Sequence, residues 1–341
     1  MPEAVARLPA GVTIARSGTQ IAAALGDPAT ARALVARYPA PPSPAEAVAA
    51  VDALIRRAVE QPADAAGAQV VSSAVGVAVE GRVDARLGAV RALPQAPDWT
   101  GYPLAGQLRT ALNVPVRVCS LVDAEALAEA TLGAGLDTDA GERESASPLL
   151  YVSLGRFVEA ATVVDGRVLA GAHGMAGMLG HVRVADDGPR CACGAIGHLG
   201  AIASSQAVVR TLIGRASGSE ESLAAMLRIT GGRAEAITAP QVVALAVEGD
   251  PVAAAVVAEA AEALARGLAA SVALLDPALI VLAGPLAEAG DAFLTPLAAR
   301  LRALCRYQPD VPPLLPARLG PRAALAGALL LAAQTAETAA S

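Results

Sequence analysis

Gly174-Met-Ala-Gly-Met-Leu-Gly-His181, followed by Cys191-Ala-Cys-Gly-Ala-Ile-Gly-His198, is the stretch on which the reading of this chain turns. All three histidines of the protein, His173, His181 and His198, fall in this one window beside two of its four cysteines. Cys191 and Cys193 are too close in sequence for an ordinary structural disulfide, so reduced thiols or a metal fit them better. Cys119 and Cys305 stand alone in apolar sequence.

Outward from this window the pattern is regular. Upstream lie a helix Asp123–Leu132, strands Leu149–Leu154 and Ala160–Val164, the turn Asp165-Gly166 and strand Arg167–Ala170; downstream, Ala-rich helices run from about Ser204 to Leu275 into the apolar strand Leu279–Leu282. The first half uses the same grammar. Gly11 to Leu25 reads as a hairpin, and an Ala-rich helix is expected after it. A second helix is expected to start at Ser43-Pro44, a hydroxyl N-cap with a first-position proline, and to run to Glu60. Strand Val70–Val79, a proline-bearing loop around Trp99, helix Leu104–Leu112 and strand Val114–Val118 complete it. Strands alternating with helices in both halves place the chain in the α/β class.

Composition removes several functions. The 341 residues are 54% hydrophobic and only 2% aromatic, so Ala, Leu and Val must fill the core, and small side chains set the packing. Net charge is −6, with neither sign collected into a long run, which argues against nucleic acid as a partner. Every basic residue is Arg, so neither a phosphate-loop lysine nor a Schiff-base lysine is available. No apolar run reaches membrane-spanning length, and the expectation is a soluble cytoplasmic protein without membrane contact.

Four stretches together resemble the ROK family of bacterial sugar kinases and sugar-responsive repressors. Val75-Gly-Val-Ala-Val-Glu-Gly-Arg-Val-Asp84 is similar to the family's IGIGxPGxVD, and Pro94-Gln-Ala-Pro-Asp-Trp99 to its PNLPxW loop. The opening window resembles GxxGExGH and CxCGxxGC, and Leu264-Ala-Arg-Gly-Leu through Ile280-Val-Leu-Ala-Gly284 resembles the helix and strand of the family's adenosine pocket. The resemblance implies the actin-like ATPase (ribonuclease H-like, sugar-kinase) architecture: two α/β domains with ligand and nucleotide in a cleft. The smaller domain would be residues 1–118, completed by a helix at 321–333. The larger would be 119–320, carrying the zinc-binding segment 171–200.

Against that pattern the chemistry is altered position by position. The phosphate loop DxGGTK matches Ala15-Arg-Ser-Gly18-Thr19-Gln20, where a methyl group stands in place of the Mg²⁺ carboxylate. The second loop, GTGxGxG, matches Gly155-Arg156-Phe-Val-Glu159-Ala-Ala161, in which Arg156 is either a phosphate donor or a solvated turn charge. Counted without gaps, the family's Asn-Asp base pair falls on Ser120-Leu121. A slide of two residues instead sets Asp123 at the base, while Ser120 with Asp123 also reads as a helix cap and first-turn acid. Among sugar-reading positions, the loop Asn matches Gln95, the signature Glu matches Met178, a later Glu matches Gly200, and His181 is retained. Ala283 and Gly284 match the adenosine side.

Zinc is the function best kept in this comparison: His181, Cys191, Cys193 and His198 form a Cys2His2 set, with His198 in place of the family's third Cys. The resemblance implies a kinase using ATP and Mg²⁺ on a sugar or sugar-like polyol such as an aminosugar or cyclitol, with weak activity, in a homodimer. The other reading it leaves is a catalytically silent ligand-binding or regulatory protein. A winged-helix repressor is not expected, since the first strand begins near Gly11.

Overall fold

The computed structural model describes residues 5–15, 19–60, 69–93, 96–136 and 146–340. In chain order the elements are β1 (Val5–Ala15), β2 (Gln20–Leu25), β3 (Leu34–Arg37), α1 (Pro44–Glu60), β4 (Gln69–Val79), β5 (Arg82–Asp84), β6 (Ala89–Ala92), α2 (Leu104–Leu112), β7 (Val116–Ser120) and α3 (Leu121–Leu132). They continue with β8 (Leu149–Leu154), β9 (Val158–Val164), β10 (Arg167–Val168), α4 (Leu199–Ala203), α5 (Ser205–Ala216), α6 (Glu220–Ile229), α7 (Ala239–Val247), α8 (Pro251–Leu275), β11 (Leu279–Ala283), α9 (Asp291–Leu304), β12 (Leu314–Pro316) and α10 (Ala323–Ala340).

The chain divides into two compact units, one of residues 1–133, 166–176 and 319–341, the other of 134–165 and 177–318. The first is built on a five-stranded sheet in the order β3-β2-β1-β4-β7. β1 runs antiparallel to β2 and parallel to β4, and β4 parallel to β7. Helices α1 and α2 bury Val51, Leu54, Ile55, Leu104 and Leu108 in one core with the sheet. Helix α10 lies on β1 and β4 and against α3. Its approach depends on a pair of glycines facing each other across the sheet, Gly11 on β1 and Gly76 on β4. A Cβ on Gly76 would sit 2.0 Å from the Ala328 carbonyl oxygen, and one on Gly11 2.7 Å from Leu329 Cγ.

Two corrections follow. The segment after β2 is not an Ala-rich helix but a turn and the edge strand β3, paired with Gln20–Ala23. Asp27 and Pro28 open a turn, closed by the Ala31 amide on the Asp27 carbonyl at 2.8 Å, and an exposed edge strand needs no strong hydrophobic alternation. The boundary expected at Val118 falls instead after α3, because α3 packs against α10 within the first unit. Helix α1 begins with the expected cap: the Ser43 amide donates to Glu46 and the Glu46 amide to Ser43 Oγ.

In the second unit the strands lie in the order β9-β8-β11-β12, with β8, β11 and β12 parallel. Leu150, Val152 and Leu154 of β8 and Ile280 and Leu282 of β11 share a core with α4 to α9. Among the described residues no single helix is long and apolar enough to cross a membrane.

Candidate functional site

The signature window folds by laying glycines on a strand. Residues Gly177 to Gly180 run against β9: the Ala160 amide donates to the Gly177 carbonyl at 2.9 Å, and a Cβ on Gly177, whose φ is +81°, would stand 1.9 Å from the Ala160 carbonyl oxygen. No other residue fits there. Leu179 anchors the strip in the core, and the 3₁₀ turn Leu179–His181 presents His181. The chain then forms a short ladder, with Val184 N–H donating to Gly197 O and Leu199 N–H to Val182 O, both at 2.9 Å. This ladder sets His198 opposite Arg183 and at the N-cap of α4. A tight turn, closed by the Gly194 amide on the Cys191 carbonyl at 2.8 Å, carries the two cysteines.

The four side chains His181, Cys191, Cys193 and His198 place one donor atom each within 4.8 Å of the others. The Nδ1 atoms of His181 and His198 are 3.4 Å apart. Cys193 Sγ is 3.3 Å from His198 Nδ1, and Cys191 Sγ is 3.8 Å from His181 Nδ1. Metal–nitrogen bonds of about 2.0–2.1 Å and metal–sulfur bonds of about 2.3 Å at tetrahedral angles give edges of roughly 3.3 and 3.6 Å, so the cage has the size of a tetrahedral site. The Ala195 amide, directed at the Cys193 sulfur, holds that thiol below its ordinary pKa and favours the ligating thiolate.

A second group of site residues gathers at the carboxyl ends of the parallel pair β8 and β11, the edge where open α/β sheets bind ligands. Gly284, with φ +93°, brings its α-carbon so close that a Cβ would lie 2.9 Å from the Leu154 carbonyl and 3.2 Å from the Gly155 nitrogen. From the other side Ser205 N–H donates to Gly155 O at 3.0 Å, and Ser205 Oγ donates to Leu154 O. Gly155, Ala283 and Gly284 are thus brought together. Arg156 is exposed beyond them, its guanidinium 5.6 Å from the centre of the Phe157 ring. Glu159 pairs with Ser153 across β8 and β9, so both project from the same face of the sheet. Ser205 was not singled out from sequence; its only signal was a Ser-Ser pair ahead of an Ala-rich helix.

Ser120 and Asp123 close β7 onto α3 as a capping box: the Asp123 amide donates to Ser120 Oγ and the Ser120 amide to Asp123 Oδ2, both at 3.2 Å. Leu121 is the first helical residue. Burial pushes the Asp123 carboxyl above its ordinary pKa, and the Ser120 hydrogen bonds pull it part of the way back. A carboxyl raised in the folded state stabilises the fold below its unfolded pKa, and that contribution disappears as pH rises through the folded value. The stability advantage of the wild type over Asp123→Asn is therefore expected to grow as pH falls from neutral towards about 4. At pH 7 the two are expected to agree to within about 1 kcal/mol, since Asn still accepts from the Ser120 amide. Urea titrations at several pH values measure both; a difference that does not change with pH would contradict the burial of this carboxyl.

Thr19 immediately precedes β2 in the first unit, and its carbonyl accepts from the Tyr38 amide at 2.9 Å. Gly18 and Gln95 lie outside the described residues. Met178 and Gly200 both adjoin the metal segment, as the N-cap of the His181 turn and the second residue of α4.

Comparison with known proteins gives a consistent picture. The ROK family model matches residues 11–335. A glucokinase of Streptomyces coelicolor is 28% identical over 318 residues, covering 92% of this chain and 95% of its own length. A kanosamine kinase of Amycolatopsis mediterranei is 31% identical over 265 residues, 76% of each chain. The crystal structure of a glucokinase from Streptomyces griseus in complex with glucose and AMPPNP superposes with a TM-score of 0.74 at 30% identity, covering 96% of this chain and 99% of that one.

Proposed function

The chain belongs to the ROK family, and on that premise we propose that it is a divergent kinase. It transfers a phosphoryl group from ATP, slowly, to a hydroxyl of a sugar or sugar-like polyol, with an aminosugar or cyclitol favoured. The fold, that of the actin-like sugar kinases, supports this reading. The observation that carries it is the close approach of Gly284 to Leu154-Gly155, which sets two strand ends side by side at the edge where open α/β sheets bind ligands. Gly155, Ala283 and Gly284, with Arg156, take the nucleotide on this reading, and Gly18-Thr19 belong to the other phosphate loop. Mg²⁺ bound with ATP supplies charge neutralisation at the phosphates; with Ala15 in place of a carboxylate, this chain holds it less firmly. Asp123 is the base, and its raised pKa is in the direction that role requires. Ser120, Gln95 and His181 read the acceptor. His181, Cys191, Cys193 and His198 hold a structural zinc.

A second reading, a silent ligand-binding or regulatory protein, is favoured by the capping box, which already engages Asp123, and by Leu121 at the gapless base position. Calorimetric titration with Mg-ATP and with ADP separates the two. Saturable binding of both is expected from a kinase, and no heat at millimolar nucleotide would end that reading. Glucose itself is expected to be a poor acceptor, because Gln95, Met178 and Gly200 offer no carboxylate to its hydroxyls. Saturable glucose phosphorylation with a sub-millimolar KM would contradict this. The likeness to a kanosamine kinase fits an acceptor other than glucose.

A further inference from the structure

The metal segment is clamped to helix α8 by one side chain. Arg266, midway along α8, donates from its NH1 atom to the Val184 carbonyl at 3.0 Å. Val184 is the residue whose own amide pairs with Gly197, next to the ligand His198, so the guanidinium grips the ladder that sets His181 and His198 opposite each other. The Arg266 side chain is itself held. Its Nε donates to Glu262 Oε1 at 2.8 Å, and Glu262 also accepts from Arg300 of α9, with NH2 to Oε1 at 2.8 Å. These two arginines hold the Glu262 carboxyl below its ordinary pKa, Arg300 first. The helix also comes unusually close to the segment here. A Cβ on Gly267 would meet Leu199 Cδ2 at 2.7 Å and Leu179 Cδ1 at 3.5 Å, so α8 rests on the residues that flank both histidine ligands.

Resting on the metal reading above, we infer that Arg266 is the positioning residue of the metal site. Through Val184 it sets the separation of the two histidine ligands, and Glu262 with Arg300 keeps its guanidinium in place. A side chain that orients ligands without touching the ion typically changes metal affinity by about 10- to 100-fold when removed. Arg215 provides the control: it makes a bidentate ion pair with Glu259 of the same helix at 2.7 and 2.8 Å, and among the described residues its side chain makes no hydrogen bond to the metal segment.

The test is chelator competition for Zn²⁺ on the full chain, with the visible spectrum of the Co²⁺-loaded protein as a report on ligand geometry. Arg266→Ala is expected to weaken Zn²⁺ by about 10- to 100-fold and to alter the Co²⁺ bands. Glu262→Gln should weaken Zn²⁺ less, Arg266→Lys should recover part of the loss, and Arg215→Ala should match the wild type. Equal affinities and spectra for Arg266→Ala and Arg215→Ala would overturn the inference while leaving the metal reading intact. Where Arg266→Ala does not fold, unchanged affinity in both Glu262→Gln and Arg266→Lys would overturn it equally. A wild type that binds neither metal removes the metal reading and the inference with it.

Discussion

On the zinc reading, treatment with a chelator is expected to open residues 182–196 while the rest of the second unit stays folded. None of these residues is buried, so the segment has no hydrophobic core of its own. Its order comes from its backbone ladder, the cysteine turn, the Arg266 hydrogen bond to Val184 and, on the zinc reading, the four side chains His181, Cys191, Cys193 and His198. With metal at about 1,000 times its dissociation constant, the site contributes about 4 kcal/mol by mass action, and its loss shifts Tm by roughly 10 °C in a unit of this size. Because all basic residues are Arg, trypsin reports the opening directly: cleavage after Arg183 and Arg190 should appear with chelator and be suppressed by added zinc. Cys191→Ser should behave as the chelated wild type does. Unchanged Tm and an unchanged tryptic pattern after chelation would mean that the four side chains hold no structural ion.

Gly327→Val is expected to be the most damaging single substitution in the first unit, by about 3 kcal/mol or more. On α10, a Cβ at this position would lie 1.8 Å from the Ala124 carbonyl oxygen and 2.4 Å from its carbon. The obstacle is the backbone of α3 and cannot turn aside. The helices must separate, which uncovers Ala128, Ala323 and Ala326 between them. Gly106→Ala on α2 makes the contrast, for nothing lies within 4 Å of the added methyl group. That change is expected to stabilise by about 0.5–1 kcal/mol through helix propensity. Denaturant melts of the two variants decide the matter. A mild effect of Gly327→Val would show that α3 and α10 do not pack at this distance.

The elements legible from sequence were those with a strong local cause. Ser43-Pro44 announced α1, alternation of apolar strands and helices announced the class, and the likeness to the ROK signature picked out the four donors that the structure brings together. The elements that escaped were short and cohere only through partners distant in sequence. Strand β3 is held by β2, β12 by β11, and β5 by β6, none long enough to show an alternating pattern of its own. Glu129 shows the same limit at a single residue. In an Ala-rich helix it reads as a solvent charge, yet it is fully buried and accepts from the Leu319 amide at 2.7 Å. Asp123 was ambiguous for another reason: the residues that cap a helix are also those that can take a proton, and one hydrogen-bond geometry serves both.

The glycine notch formed by Gly11 and Gly76 has a consequence for the order of assembly. Its occupant, α10, is the last element in the chain, whereas residues 134–165 and 177–318 need nothing from it for their core. On a ribosome the later-synthesised of the two cores can therefore close first. The sheet begun at β1 waits, with its notch uncovered, until more than 300 further residues have emerged. During that interval two strands with small side chains stay exposed, and the nascent chain is then most vulnerable to proteases and to pairing with a neighbour.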